Sequence, residues 1–369
     1  MTRAPDPRAM LPSKAYAEGV AKGRWSDDAA QRSALVEFDR IHDALRQQRP
    51  GLLNSLLGKL RSDESPRGLY LWGGVGRGKT FLVDLFFEHL PIESKRRVHF
   101  HRFMGEVHAR LKTLGERSDP LIDVANDIAM QCRVLCLDEF FVSDIGDAMI
   151  LARLLDRLFS QGVVLVTTSN TQPSELYKDG LQRARFMPAI TLLQDHCAVQ
   201  QMVSQNDYRL RMLTRAPVYY SPLNGSAELA IEQFYEDLTQ DTLHEGEPLH
   251  INGRAIPAVD YSEGVAWFNF ADLCDGPRAV ADYIEIARDF HTVLVAHVPQ
   301  FDATRDNAAK RFIHLVDEFY DRSVNLILSA EVPILELYAG DKLAAEFERT
   351  QSRLIEMQSA EYLARAHKP

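Results

Sequence analysis

Cysteine is scarce in this chain: four residues in 369, and no two of them form a C-x-x-C pair. Cys132, Cys136, Cys197 and Cys274 sit mostly in apolar segments, so they read as buried thiols in a reducing compartment rather than a disulfide framework. No apolar stretch approaches the length of a membrane span. The opening residues, "MTRAPDPRAMLPSKAY", have no apolar h-region, so no secretory signal is visible and a cytoplasmic protein is the expectation. Basic charge is in short supply as well. Lys and Arg number 42 against 52 Asp and Glu, a formal net charge of −10. That balance argues against a large sequence-independent nucleic-acid surface and leaves room only for a local basic patch. Low-complexity tracts are missing too.

What is present is ordinary globular material, 46% hydrophobic and 25% charged, and long enough for two domains or one domain with a large insertion. The first dozen residues are rich in proline and charge and read as loose. "SDDAAQRSALVEFDRIHDALRQQ" then reads as a helix capped by Ser26 or Asp27, with Leu35, Phe38, Ile41 and Leu45 on its apolar face. From residue 68 onward, strand and helix signals alternate. "GLYLW", "RRVHFHRF", "RVLCLDEF" and "GVVLVTTSN" read as strands, the first three each followed by a helical pattern. This alternation predicts an α/β fold, a parallel sheet with helices on both faces.

After about residue 205 the texture changes. An Asn252-Gly253 turn, the strands "GVAWFNF" and "HTVLVAHV" and the helix "RAVADYIEIARDF" read as a smaller α+β element. "LVDEFYDRSVNLILSAE" (315–331) echoes "LLDRLFSQGVVLVTTSN" (154–170), which reads as a reused local pattern rather than a repeat. The tail is mostly helical, with Leu354, Met357, Tyr362 and Leu363 as its apolar members. The expected segments are an N-terminal tail and helix (1–50), an α/β core (51–216), an α+β accessory element (217–300) and a C-terminal helix-strand and helical segment (301–369).

"GLYLWGGVGRGKT" fits G-x-x-x-x-G-K-[ST] as Gly73, Gly74, Val75, Gly76, Arg77, Gly78, Lys79 and Thr80. A buried strand enters the motif and an amphipathic helix leaves it, which is the context a phosphate loop needs. Gly74, Gly76 and Gly78 permit a path on which successive N–H groups face a polyanion, and the helix N-terminus adds positive potential. Lys79 can neutralise the β- and γ-phosphates, and Thr80 can ligate Mg²⁺. "RVLCLDEF" places Asp138 and Glu139 at the C-terminal end of a strand, where ligands bind in open α/β sheets. Asp138 would hold Mg²⁺; Glu139 would orient and deprotonate a water. Asn170, at the end of "TTSN", can bridge the γ-phosphate and that water. Arg183 and Arg185 follow a glycine-bearing turn. Arg183 is the favoured arginine finger, to be supplied to a neighbouring subunit; on a solvated face both would be surface arginines.

Phosphate loop, Asp-Glu strand, strand-terminal Asn and then Arg is an order that resembles the AAA+ ATPases. The blocks "GLYLWGGVGRGKTFLVDLFF", "HFHRFMGEVHARL", "LCLDEFFVSDIGDAMILARLL", "VTTSNTQPSELYKDGLQR", "RFIHLVDEFYDR" and "RTQSRLIEMQSAEY" narrow it. They resemble the ZapE-type cell-division ATPases of bacteria and their mitochondrial lactation-elevated-type relatives. The resemblance implies an AAA+ core, ATP and Mg²⁺ as ligands, a nucleotide-dependent homo-oligomer, and FtsZ polymers as the partner that is destabilised at the division site. The alternative is a nucleic-acid-linked AAA+ ATPase such as a helicase loader, with "KRRVHFHR" as its contact. Phe103-Met104-Gly105 stands where AAA+ machines often carry a pore loop, but packing of Phe103 and Met104 into the core is the favoured reading. His99, His101 and His108 lack a fourth ligand at zinc-site spacing. Arg209, Arg211, Arg311 and Arg353 compete as the lid arginine.

Overall fold

The computed structural model describes residues 10–47, 65–74, 78–115, 119–203, 213–214, 216–239, 246–251, 253–262 and 264–368. They fall into two compact units, Met1–Asn206 and Asp207–Pro369. Val75, Gly76 and Arg77 of the phosphate loop, and Arg209 and Arg211, lie outside the described residues.

The first unit runs α1 (Pro12–Ala21), α2 (Ala29–Gln47), β1 (Gly68–Trp72), α3 (Lys79–His89), β2 (Lys95–His99), α4 (Phe100–Leu114), α5 (Pro120–Gln131), β3 (Val134–Asp138), α6 (Ile145–Ser160), β4 (Val164–Ser169), α7 (Arg183–His196) and β5 (Cys197–Gln201). Its five strands are all parallel, in the order β2-β3-β4-β1-β5. Side chains alternate across the sheet. Leu69, Leu71, Val134, Cys136, Val164 and Val166 face α2 and α3, packing with Phe38 and Phe86. Tyr70, Leu135, Leu137 and Leu165 face the other way, toward Phe103, Val124, Leu151 and Phe186 of α4 to α7. Both faces are covered, which is why these strands read as unbroken apolar runs.

Local differences from the sequence reading have physical causes. The cap of α2 is Asp28, whose Oδ1 accepts the Ala30 N–H at 2.7 Å; Tyr16 holds it there, its hydroxyl accepting the Asp28 N–H at 2.9 Å. Helix α1, which supplies Tyr16, starts inside the stretch read as loose, with Pro12 in its first turn. The strand expected over 96–103 stops at His99, and α4 begins at Phe100. His99 and His101 therefore do not share a strand face. Phe103 and Met104 pack inward, each 1% exposed, as favoured. All four cysteines are free and buried. Burial pushes the thiols of Cys197 and Cys274 up to about 12.

The second unit runs β6 (Tyr219–Tyr220), α8 (Gly225–Leu238), β7 (Leu249–Ile251), β8 (Arg254–Ile256), β9 (Asp260–Ser262), β10 (Val265–Asn269), α9 (Val280–Asp289), β11 (Thr292–Val298), α10 (Asp306–Asp321), β12 (Asn325–Ala330), α11 (Ala344–Glu356) and α12 (Ala360–Leu363). Its sheet has the order β6-β12-β11-β10-β9, parallel except for β9. β7 and β8 pair antiparallel on either side of the expected Asn252-Gly253 turn, of which Asn252 lies outside the described residues. Helices α9, α10 and α11 cover one face, where Phe268, Val295 and Leu328 meet Ile286, Phe312 and Phe347. Helix α8 covers the other, with Phe234 against Leu294 and Ile327. The segments expected separately at 217–300 and 301–369 thus share one sheet, because β11 pairs with β12 across that boundary. Among the described residues no helix is long and apolar enough to cross a membrane.

Tyr362 is fully buried, and its hydroxyl lies 3.2–3.3 Å from the carbonyls of Phe319, Tyr320 and Val324. Tyr362→Ala is expected to destabilise the second unit by about 3 kcal/mol, read as an earlier urea midpoint. An unchanged midpoint would show that the C-terminal segment is dispensable to this core.

Candidate active site

Three strand ends bring the sequence motifs together. β4 lies between β1, which leads into the phosphate loop, and β3, which ends in Asp138. Lys79 opens α3 and is 92% buried by its surroundings, with 8% exposed. Its Nζ donates to the carbonyls of Gly73 at 2.9 Å and Gly74 at 2.8 Å, and to Asn170 Oδ1 at 3.1 Å. The last contact joins residues 91 positions apart. It places the loop lysine and the strand-terminal amide at one point.

The backbone of the loop is set by packing. Gly73 has φ 155°, and a Cβ there would stand 2.4 Å from the Met202 carbonyl. Gly78 has φ 79°, the left-handed region, directly before the first turn of α3. A Cβ at Gly78 would meet the Gln31 amide at 2.5 Å.

Asp138 and Glu139 are fixed against the neighbouring strands. The Glu139 N–H donates to Thr168 Oγ1 at 3.1 Å, and that hydroxyl lies 3.4 Å from Asp138 Oδ1. Glu139 itself has φ 53°. A left-handed glutamate at a strand end is strained backbone of the kind that collects at active sites. Asp138 is 2% exposed, and its Oδ2 accepts from Arg97 Nε at 2.6 Å.

Arg97 is the functional residue that the sequence reading missed. It sits on β2 and pairs in register with Cys136, two positions short of Asp138. Its side chain reaches forward along the sheet to Asp138, and its other arm binds Asp84 of α3. The signal available was a charged residue inside a strand adjacent to the Asp strand. Thr168 was also missed; its signal was a hydroxyl in "TTSN", just before Asn170. Lys95 and Arg96 of "KRRVHFHR" are similarly engaged: Lys95 Nζ donates to the Phe87 and Leu90 carbonyls, and Arg96 pairs with Glu106 at 2.5 Å.

Other candidates fall elsewhere. Thr80 lies in the first turn of α3, half-buried. Arg183 opens α7 and donates to the Ser174 carbonyl at 2.6 Å, while Arg185 is exposed. Arg311 donates to the Cys274 carbonyl at 2.5 Å, and Arg353 pairs with Asp317 at 2.7 Å, both within the second unit. His108 lies 2.7 Å from Asp147. Among the described residues no group of His, Cys, Asp and Glu could hold a metal by itself. The donors near the loop, the Thr80 hydroxyl and the Asp138 carboxylate, are hard oxygens. They suit a Mg²⁺ that arrives with a triphosphate and keeps most of its own water.

A parallel sheet of this strand order, with a phosphate loop after β1, Asp-Glu after β3 and Asn after β4, is the nucleotide-binding core of an AAA+ ATPase. The chain belongs to the AFG1-like ATPase family, whose model matches residues 10–366. It is an ATP-binding ATPase. It is 44% identical over 372 residues to the cell division protein ZapE of Escherichia coli K12, covering 98% of this chain and 99% of that protein. It is 35% identical over 343 residues to lactation elevated protein 1 homolog B of Danio rerio, covering 80% and 68%. Among solved structures, AMPPCP-bound DnaA from Aquifex aeolicus matches at a TM-score of 0.35 and 14% identity, over 58% of this chain and 56% of that one.

Removing the Arg97 guanidinium strands a buried carboxylate. Arg97→Met is expected to cost about 3 kcal/mol of stability, measured by urea denaturation. A midpoint equal to that of the unaltered chain would mean that Asp138 does not depend on this pair.

Proposed function

We propose that the chain is a Mg²⁺-dependent ATP hydrolase that acts in bacterial cell division and destabilises FtsZ polymers as it turns over ATP. The observation that carries the hydrolytic part is the contact between Lys79 and Asn170, with Asp138 and Glu139 anchored two residues away on Thr168. What supports the division role is the name of the E. coli relative, a cell division protein that this chain matches end to end.

In this reading each group has one task. Lys79 exchanges its carbonyl partners for phosphate oxygens. The N–H groups at the start of α3 face the same anion, aided by the helix dipole. Thr80 and Asp138 are the residues that would hold Mg²⁺, which would neutralise charge on the β- and γ-phosphates. Glu139 accepts the proton of the attacking water, and Asn170 orients that water against the γ-phosphate. Arg183 serves the site of a neighbouring copy in a nucleotide-dependent homo-oligomer.

The nucleic-acid reading has less support. Within its expected contact, "KRRVHFHR", the cations at 95–97 bind internal partners: two carbonyls, Glu106, Asp84 and Asp138.

Lys79→Ala is expected to abolish nucleotide binding. Glu139→Gln should keep ATP bound and lose turnover by roughly 10²- to 10⁴-fold; near-normal turnover would reject Glu139 as the base. Arg183→Ala should bind ATP with turnover reduced on the order of 10³-fold, and mixing it with the Lys79 variant should restore part of the activity. No recovery at any mixing ratio would reject a finger acting between copies. ATPase stimulation by FtsZ filaments, set against single-stranded DNA, tests the partner; stimulation by DNA alone would overturn the division role.

A further inference from the structure

The echo between 154–170 and 315–331 extends well beyond those residues. Helix α6 and helix α10 are both 16 residues long, and β4 and β12 both six, at a constant offset of 161 positions. Buried Ala148, Leu151, Leu154, Leu155 and Leu158 of α6 correspond to buried Ala309, Phe312, Leu315, Val316 and Phe319 of α10. The turns between helix and strand match. Gly162 (φ 84°) corresponds to Ser323 (φ 55°), and the Val163-to-Leu158 hydrogen bond to the Val324-to-Phe319 bond. After the strand, each unit has a 3₁₀ turn that ends on the Glu of Glu-Leu-Tyr, 175–177 and 336–338. The tyrosine then packs on a phenylalanine of the next helix, Tyr177 on Phe186 and Tyr338 on Phe347.

The sheets correspond too. The order β2-β3-β4-β1 in one unit is β10-β11-β12-β6 in the other, all parallel. Helix α3 after β1 corresponds to α8 after β6. Buried Leu82, Leu85 and Phe86 match buried Ile231, Phe234 and Tyr235 at an offset of 149. The strained strand end is also kept. In register, His99 faces Asp138 and Asn269 faces Ala296. The next residues, Glu139 and His297, are both left-handed, at φ 53° and 62°. Each donates its N–H at 3.1 Å to a hydroxyl of the adjacent strand, Thr168 or Ser329.

We infer that the second unit is a degenerate copy of the ATP-binding unit whose nucleotide site has been closed, so that each chain holds one ATP. The inference rests on the site assigned above. By the same offsets and strand register, Glu228 stands for Lys79, Ala296 for Asp138, His297 for Glu139, Glu331 for Asn170 and Ala344 for Arg183. Every group with a task toward the triphosphate is replaced, and two replacements are carboxylates, which repel an anion. The loop is gone as well. Where the first unit has Gly73, Gly74 and Gly76, the second has Pro222, Leu223 and Gly225, and α8 already begins at Gly225 with Asn224 as its cap. His297 bridges the cleft, with Nε2 3.6 Å from Glu228 and Nδ1 3.1 Å from Asn269 Oδ1. The His297–Glu228 pair joins the positions that correspond to Glu139 and Lys79.

Equilibrium dialysis with a slowly hydrolysed ATP analogue, ATPγS, counts the sites on the full chain. One per chain is expected, lost in Lys79→Ala and kept in the double variant Glu228→Ala/His297→Ala. Two per chain in the unaltered protein overturns the inference without needing any variant. So does a single site that survives Lys79→Ala and is lost in the double variant. Binding that survives both changes contradicts the site assigned to the first unit and leaves the second unit's closure standing.

Discussion

A buried ammonium group organises the catalytic unit. Lys79 would cost several kcal/mol to desolvate if its charge had no partners. Its partners include the carbonyls of Gly73 and Gly74 and the amide oxygen of Asn170. Those neutral oxygens can hold the lysine in place, yet each is a weaker partner than a phosphate oxygen. The same interaction ties the loop after β1 to the end of β4, and β4 in turn carries the hydroxyl that sets Glu139. The sheet order makes this economical, since β4 lies between β1 and β3. Asp138 depends on a second charge contact, from Arg97, which also reaches Asp84 on the helix that Lys79 opens. The two contacts lock the cation-bearing and carboxylate-bearing strand ends into one frame.

Much of this frame was legible in the sequence, because the residues that form it sit at strand ends that the apolar runs delimit. Lys79, Asp138, Glu139 and Asn170 stand at the ends of β1's loop, β3 and β4 as expected. Arg97 was not legible. It sits in a basic run that reads equally well as solvated, and only the register of β2 on β3 brings it within reach of Asp138. Helix α1 escaped for a related reason. Its local signal is weak beside proline and charge, and what fixes it is the tertiary bond between Tyr16 and Asp28. Arg183 was read from its position after a turn; its guanidinium donates to the Ser174 carbonyl of the same chain.

The second unit shows the limit of motif reading from the other side. What it shares with the first is buried: helix faces, turns, strand register and a left-handed strand end. What it has lost is the lysine and all but one of the glycines that make a phosphate loop recognisable. A search keyed to chemistry therefore finds one copy, while packing reveals two. The contrast also separates scaffold from function. Thr168 and Ser329 hold the same backbone turn, but only the first turn presents two adjacent carboxylates, Asp138 and Glu139.

The most direct test of the account is a crystal structure of the chain with Mg²⁺ and a non-hydrolysable ATP analogue. The account predicts that Lys79 Nζ and Asn170 lie within hydrogen-bond distance of the γ-phosphate, with Mg²⁺ on the Thr80 and Asp138 side and the second unit free of nucleotide. An analogue bound away from Lys79, or with its γ-phosphate remote from Glu139 and Asn170, would contradict it.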